Sequence, residues 1–259
     1  MICFGKIFTA LSSILFSYSS IYAQELPKAE DLKSVGKAEI EVVYDLSWAR
    51  TSGSEKRVDD KVHTLAGTNI WYSYSEQEWR RDVNRMRSLI NKGKRGTDAA
   101  HNLYSNLGEV FVGYPEGKTT VTVSLDAAGV FQYEEKTETP KWELVADSTR
   151  EVLGYKCLLA KCNFRGRDFK AWYTIDIPLS VGPWKLGGMP GLILEVEEED
   201  YHFIATGIEK KTQSIDMWQR DVRKTTRKKL RNLEAAMLAD PDAFLADYGE
   251  KLQVFTYDG

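Results

Sequence analysis

Cysteine is scarce, with three in 259 residues, so a disulfide scaffold of the kind that holds small secreted domains together is excluded. Seven prolines and nineteen glycines are spread along the chain, which rules out collagen-like and linker-type segments and leaves many turns between short elements. Charge of one sign is missing as well: 35 basic side chains face 38 acidic ones for a formal net charge of -3. No overall field exists to hold nucleic acid by counterion release. After the first 23 residues no apolar run is long enough to span a bilayer, so no transmembrane span is expected once that segment is removed.

Catalytic signatures are equally sparse. There is no GxSxG elbow, no HExxH and no CxxC, and the glycine-rich segment at 182–191 runs into an apolar strand instead of the Gly-Lys-Ser/Thr helix start of a phosphate loop. His63, His101 and His202 are far apart in sequence. The expectation is therefore no catalytic set, no metal site and no cofactor. The alternative is a hydrolase of unrecognised class that brings one of these imidazoles to a carboxylate in a cleft.

What is present begins with an address. Lys6 precedes the run IFTALSSILFSYSSIYA, which contains no acid and closes on Ala23. Residues 1–23 read as a cleaved signal peptide, which places the remaining chain in the periplasm or outer cell envelope. Cys3 leaves with the leader. Cys157 and Cys162 lie five positions apart in a strand-like segment, too far for a bridge on a continuous strand, and are expected as buried free thiols.

Residues 36–46 alternate apolar and polar, giving a half-buried strand, and 62–66 with 68–74 form a hairpin about Gly67. Ser75 and Glu78 make a capping box that opens an amphipathic helix over 76–91, with Arg80, Arg81, Arg85 and Arg87 on its polar side. From 109 to 209 eight strand-like segments follow one another without helices, an antiparallel pattern. The fold class is mainly β (α+β): a curved antiparallel sheet or incomplete barrel, with one helix inserted after the first strands and a helical C-terminus. The expected organisation is a β domain over 24–212 and a helical segment over 213–259. The helix is placed between Asp216 and Ala239, seated by Trp218 and Leu233 with its basic edge solvated or facing the acidic run Glu195 to Asp200, and a further short helix begins at Asp240. Glu197 to Asp200 reads as a solvated hairpin tip. Trp71, Tyr72, Tyr74, Trp172 and Tyr173 are candidates to line an apolar groove inside the sheet.

The most specific segment is GPWKLGGMPGLI, Gly182 to Ile193, where three turn signals precede an apolar strand. Pro190 presets the second position of a turn and Gly191 is expected to supply the positive φ of a type II turn. Trp184 is its anchor. Arg165, Gly166 and Arg167 form a second candidate, with Gly166 at a hairpin tip and two guanidiniums able to grip a carboxylate or phosphate, or else engaged in salt bridges.

GMPGLI at 188–193 matches, but for Met189 in place of Leu, the hexapeptide that names the GLPGLI family, and GYKC at 154–157, FRGRDFKAWYT at 164–174 and IPLSVGPWKLGG at 177–188 agree with it. The chain resembles this family of secreted or envelope proteins of Bacteroidetes-type bacteria. The resemblance implies no established activity and an association with TonB-dependent outer-membrane transport. The architecture also looks like the LolA type of lipoprotein carrier. The function expected is non-catalytic binding of an apolar ligand or an outer-membrane transport partner, through Trp172, Trp184, Met189, Pro190, Gly191, Arg165 and Arg167. A structural subunit of an envelope complex is the other alternative.

Overall fold

The computed structural model describes residues 27–49, 52–90, 107–125, 128–240, 243–244 and 246–247. The leader, His101 and the loop at 91–102 lie outside the described residues.

Twelve strands form one sheet: β1 (Leu32–Ala49), β2 (Arg57–Ala66), β3 (Trp71–Ser75), β4 (Glu109–Val112), β5 (Lys118–Leu125), β6 (Gly129–Lys136), β7 (Glu143–Val152), β8 (Tyr155–Phe164), β9 (Arg167–Thr174), β10 (Leu192–Glu197), β11 (Tyr201–Trp218) and β12 (Arg223–Lys224). Their order is β12-β6-β5-β4-β3-β2-β1-β11-β10-β9-β8-β7. Two meanders, β1 to β6 and β7 to β11, are joined where the 18-residue strands β1 and β11 pair antiparallel. Among the twelve described strands only the short β12–β6 pair is parallel. Three register shifts in the β1–β11 ladder bend the spine.

Connectivity alone requires a strong curl. Strands β6 and β7 stand ten places apart in the sheet order, roughly 48 Å if flat at ~4.8 Å per strand. The chain between them runs only from 137 to 142, which at ~3.6 Å per residue reaches about 25 Å. The two ends must therefore approach each other, and Arg165, in the β8–β9 turn, meets Glu135 of β6 at 3.0 Å across the gap. The sheet is a curved, open antiparallel structure with α1 (Glu76–Ile90) inserted after β3 and α2 (Arg227–Ala239) near the C-terminus.

Alternation in β1 buries Ala38, Ile40, Val42, Tyr44 and Leu46 as the pattern requires. At the start of α1 the Ser75 hydroxyl accepts the Glu78 N–H at 3.1 Å, while the Glu78 carboxylate takes the N–H groups of Leu107 and Gly108. Helix α2 packs Leu230, Leu233 and Met237 onto the apolar face of β4 to β6.

Three expectations are corrected here. Trp218 and Asp216 belong to β11, not to a helix, because the long N-terminal half of β1 offers a continuous ladder partner through Leu32↔Trp218. The helix begins only after Thr226, whose hydroxyl accepts the Lys229 N–H. Strand β2 starts at Arg57, five residues before the expected point, paired with the far end of β1. Asp240 does cap a following turn, accepting the Ala243 N–H at 3.0 Å. Cys157 and Cys162 are free and buried, and burial pushes both thiols up to about 11. No helix among the described residues is long and apolar enough to cross a membrane.

Candidate ligand-binding chamber

The curl encloses a cavity of about 290 Å³ between one face of the sheet, the 182–191 loop and α2. Its walls follow from strand register. Trp48 stands opposite Tyr201 on the β1–β11 ladder, Val121 opposite Tyr133 on β5–β6, and Phe169 lies on β9 beside the β8–β9 turn. Phe203, Phe164 and Trp184 complete the aromatic part, and Leu230, Met237 and Leu238 of α2 form the aliphatic lid.

The loop over the chamber is fixed by reciprocal indole and backbone bonds. The Trp184 N–H donates to Ser73 Oγ at 3.0 Å, its carbonyl accepts from Trp71 Nε1 at 2.9 Å, and its own Nε1 donates to the Leu107 carbonyl at 3.3 Å. Trp142 Nε1 donates to the Gly187 carbonyl at 2.8 Å. Trp184 holds φ at 54°, a conformation costly for a bulky side chain, and these bonds supply the compensation. The expected rigid corner is present. Its chemistry differs from the expectation at Gly191, which is absent from the positive-φ residues. Glycine is required there for close approach, because a Cβ would lie 1.9 Å from the Thr174 carbonyl oxygen.

Six cationic side chains reach the cavity, Arg81, Arg165, Arg167, Lys185, Arg227 and Arg231, against the acids Asp200 and Glu234. Arg165 and Gly166 form the β8–β9 hairpin tip, both at positive φ, as a two-residue type I′ connection demands. Arg165 bonds Glu135 and Glu138 at 3.0 Å, and Arg167 bonds Glu198 at 2.9 Å and Asp200 at 2.8 Å. Of the two acidic residues paired with Arg167, Glu198 is 2% exposed at its side chain and Asp200 4%, so this part of the acidic run is an ion-pair cradle and not a solvated tip. Lys185 is buried, 2.8 Å from both Tyr133 Oη and Glu135 Oε1. Burial pushes its ammonium down to about 8 against the pull of Glu135, with Arg165 and Arg227 adding to the depression. Burial resists ionisation of Glu135, but Lys185 and Arg165 outweigh it and hold that carboxyl below its ordinary range. Burial moves Glu234 the other way, up to about 7, with Arg231 opposing. The Trp48 indole N–H is buried with no acceptor among the described residues.

Of the residues singled out in sequence, Trp184, Arg165 and Arg167 line this cavity. Met189 is buried in the core, Gly191 is packed on Thr174, and Pro190 is exposed. Trp172 lies outside the cavity, its ring covered by the Arg150 guanidinium at 5.1 Å. None of the five aromatics expected to form a groove does so: Tyr72 stacks on Phe111 and Tyr74, Tyr173 is core, and Trp71 serves the loop. The residues that line it unforeseen, Trp48, Tyr133, Lys185, Arg227, Arg231 and Glu234, come from four separate segments that only the curl brings together. Arg227 and Arg231 are four apart on α2, one face of one helix, so their shared direction follows once the helix start is set correctly. They line the chamber together with Asp200, where a basic edge solvated or facing the acidic run Glu195 to Asp200 was expected.

Two imidazoles do reach carboxylates. His63 Nδ1 lies 3.0 Å from Glu41 and His202 Nε2 2.9 Å from Glu195. His202 borders a shallow open groove with Asp45, Ser47 and Asp59. The Glu195 hydrogen bond raises its pKa above the ordinary histidine value, which favours the imidazolium and leaves less of the free base to accept a proton. Both acids also face a cation, Lys211 at Glu41 and Arg150 at Glu195, so each carboxylate, 13% and 4% exposed at its side chain, is shared between an imidazole and a cation. Among the described residues no group of three or more His, Cys, Asp and Glu could hold a metal ion.

Residues 105–233, just under half of the chain, match the family model described as N-glycanase peptide, N-terminal domain. That stretch carries β4 to β12, the Trp184 loop and the first two turns of α2. No curated protein matches the chain. Among solved structures, PNGF-II in C2 and P21 crystal forms is similar, each at 14% identity and a TM-score of 0.49, over 76% and 77% of this chain and 32% and 33% of that one. This chain thus spans about a third of PNGF-II. An uncharacterized conserved protein from Thermus thermophilus is similar at 7% identity and a TM-score of 0.36, over 73% of this chain and 91% of that one.

Proposed function

We propose that the chain is an exported cell-envelope protein of the GLPGLI type that binds a ligand, without catalysis, in the chamber beneath α2. One observation carries the reading. A cavity of about 290 Å³ is bounded by aromatic rings and by a loop held in a strained conformation at Trp184. That volume stands just below the range of ligand pockets, roughly 300–1,000 Å³, and its walls combine aromatic and aliphatic bulk with converging charged groups. An outer-membrane transport partner would receive the ligand or dock on the loop surface.

The test is direct. The chain, expressed with its leader in an export-competent host, is recovered from the periplasmic fraction and its N-terminus sequenced. The intact protein is then analysed by native mass spectrometry before and after solvent extraction. A mature N-terminus at Gln24 and an extractable bound mass are expected. A cytoplasmic, uncleaved chain defeats the export reading, and a mass equal to the bare polypeptide defeats the binding one.

The N-glycanase match favours a second reading, an accessory role beside N-glycan cleavage. It predicts that immobilised glycopeptides retain the protein and that the same peptides after deglycosylation do not.

A further inference from the structure

The charge distribution around the chamber departs from that of the chain. The whole sequence carries -3, yet the cavity is edged by six cations and two acids, and one of those acids, Glu234, is held largely uncharged below about pH 7. Four of the cations have partners. Arg165 is engaged by Glu135 and Glu138, Arg167 by Glu198 and Asp200, Lys185 by Glu135 and Tyr133, and Arg81 by the Ser124 carbonyl. Arg227 and Arg231 have neither a hydrogen bond nor an ion pair from their side chains among the described residues, and both line the cavity from the first two turns of α2. Arg227 is close enough to Lys185 to oppose its protonation. Lys185, Arg165 and Arg227 thus repel one another at the cavity, and Glu234 opposes Arg231 only when ionised, so an anion between the two α2 guanidiniums would be favoured. Beside these two guanidiniums, Leu230, Val121, Val123, Phe169 and Phe203 supply an apolar part of the wall.

We infer that the chamber selects an amphipathic anion, an apolar body with a single carboxylate or phosphate-type head, whose head is received by Arg227 and Arg231 and whose body lies along the Val121, Val123 and Phe203 wall. The inference rests on the reading of this cavity as the binding site. Arg227 is half-buried and Arg231 exposed at the cavity edge, and guanidiniums suit planar oxyanions by paired N–H donation, which neither a neutral nor a cationic amphiphile of the same length would engage.

The experiment compares four probes of one chain length, decanoate, decyl phosphate, decanol and decyltrimethylammonium, titrated into the mature full-length protein below their aggregation concentrations. Tryptophan fluorescence and calorimetry report binding. Decanoate or decyl phosphate is expected to bind at least about tenfold more tightly than decanol, with the ammonium weakest. The pair of anions shows which head is preferred. Raising salt from about 0.05 to about 0.5 M weakens the anions and leaves decanol unchanged. The double substitution Arg227→Gln with Arg231→Gln brings anion and alcohol within about twofold of each other without weakening decanol. Equal or tighter decanol binding overturns the anion preference while leaving the chamber reading intact. An anion preference that survives both the double substitution and high salt overturns the role of these arginines. Binding of none of the four probes overturns the chamber reading and the inference with it.

Discussion

Replacing Gly191 by alanine tests why the 182–191 corner is rigid. The added Cβ would sit 1.9 Å from the Thr174 carbonyl oxygen and 2.8 Å from its carbon, where about 3.4 Å is ordinary contact, and the obstacle is backbone. Either chain must retreat by more than an ångström. That movement pulls on the Leu192↔Thr174 pair that opens the β9–β10 ladder and on the Leu192 N–H bond to the Ile177 carbonyl at 3.0 Å. It also displaces Leu192 and Ile193, both fully buried. Two weakened hydrogen bonds at about 1 kcal/mol each and a core adjustment of about 1 kcal/mol or more give a cost of about 3 kcal/mol. With an m-value of about 3 kcal/mol/M, the urea midpoint followed by tryptophan fluorescence falls by about 1 M. Gly154→Ala is the control. Gly154 holds φ at +79° with no atom near its absent Cβ, so that variant carries conformational strain alone, about 1 kcal/mol. A Gly191→Ala midpoint equal to or above that of Gly154→Ala refutes the steric account of the corner.

Three further outcomes follow from the chamber and its supports. Glu234 keeps in the folded chain a proton that the unfolded chain has released, so stability falls as pH rises from about 4.5 to about 7 and is flat beyond; Glu234→Gln removes that slope, worth on the order of 1–2 kcal/mol after solvent screening, and denaturation at several pH values reads it. Trp184→Phe breaks the bond to the Leu107 carbonyl whereas Trp48→Phe breaks none among the described residues, so the first should be less stable by about 1 kcal/mol, while the second lowers ligand affinity; equal thermal melts would contradict the assignment. Arg220 is 4% exposed at its side chain and bridges Asp82 on α1 to Glu109 on β4, so Arg220→Met strands two carboxylates and should cost about 3–5 kcal/mol, of which Glu109→Gln in the same chain restores part. No recovery in the double variant would mean that Arg220 acts through packing on Trp218 and not through charge.

Strand identity was legible from the residues because alternation is local: the segments at 155–164 and 109–112 needed no information from elsewhere in the chain. The helix in 213–239 was misplaced for the opposite reason. Trp218, Val222 and Leu230 fit a helical period, but Ile215 and Trp218 are buried because β1 extends far enough to pair with them, and the length of a partner strand is a tertiary fact. The site shows the same division. Trp184, Arg165 and Arg167 stood out because turn chemistry marks their neighbourhoods, with glycines and prolines clustered beside them. Trp48, Tyr133 and Arg227 carry no such mark, and sequence separations of about 85 and 94 residues hide their convergence. What unites them is the short 137–142 connection, which obliges the two ends of the sheet to approach each other. That restraint is present in the sequence as a length, yet it becomes informative only when the strand order is known. A chamber of this kind is thus specified by topology first and by its lining second, so substitutions in the connection should alter ligand access while leaving every lining side chain unchanged. Inserting four glycine–serine residues after Lys141 relaxes the restraint, and the expected outcome is weaker binding of the alkyl probes with the antiparallel far-ultraviolet signature retained. Unchanged affinity in that variant would show that α2 and the Trp184 loop close the chamber without help from the curl.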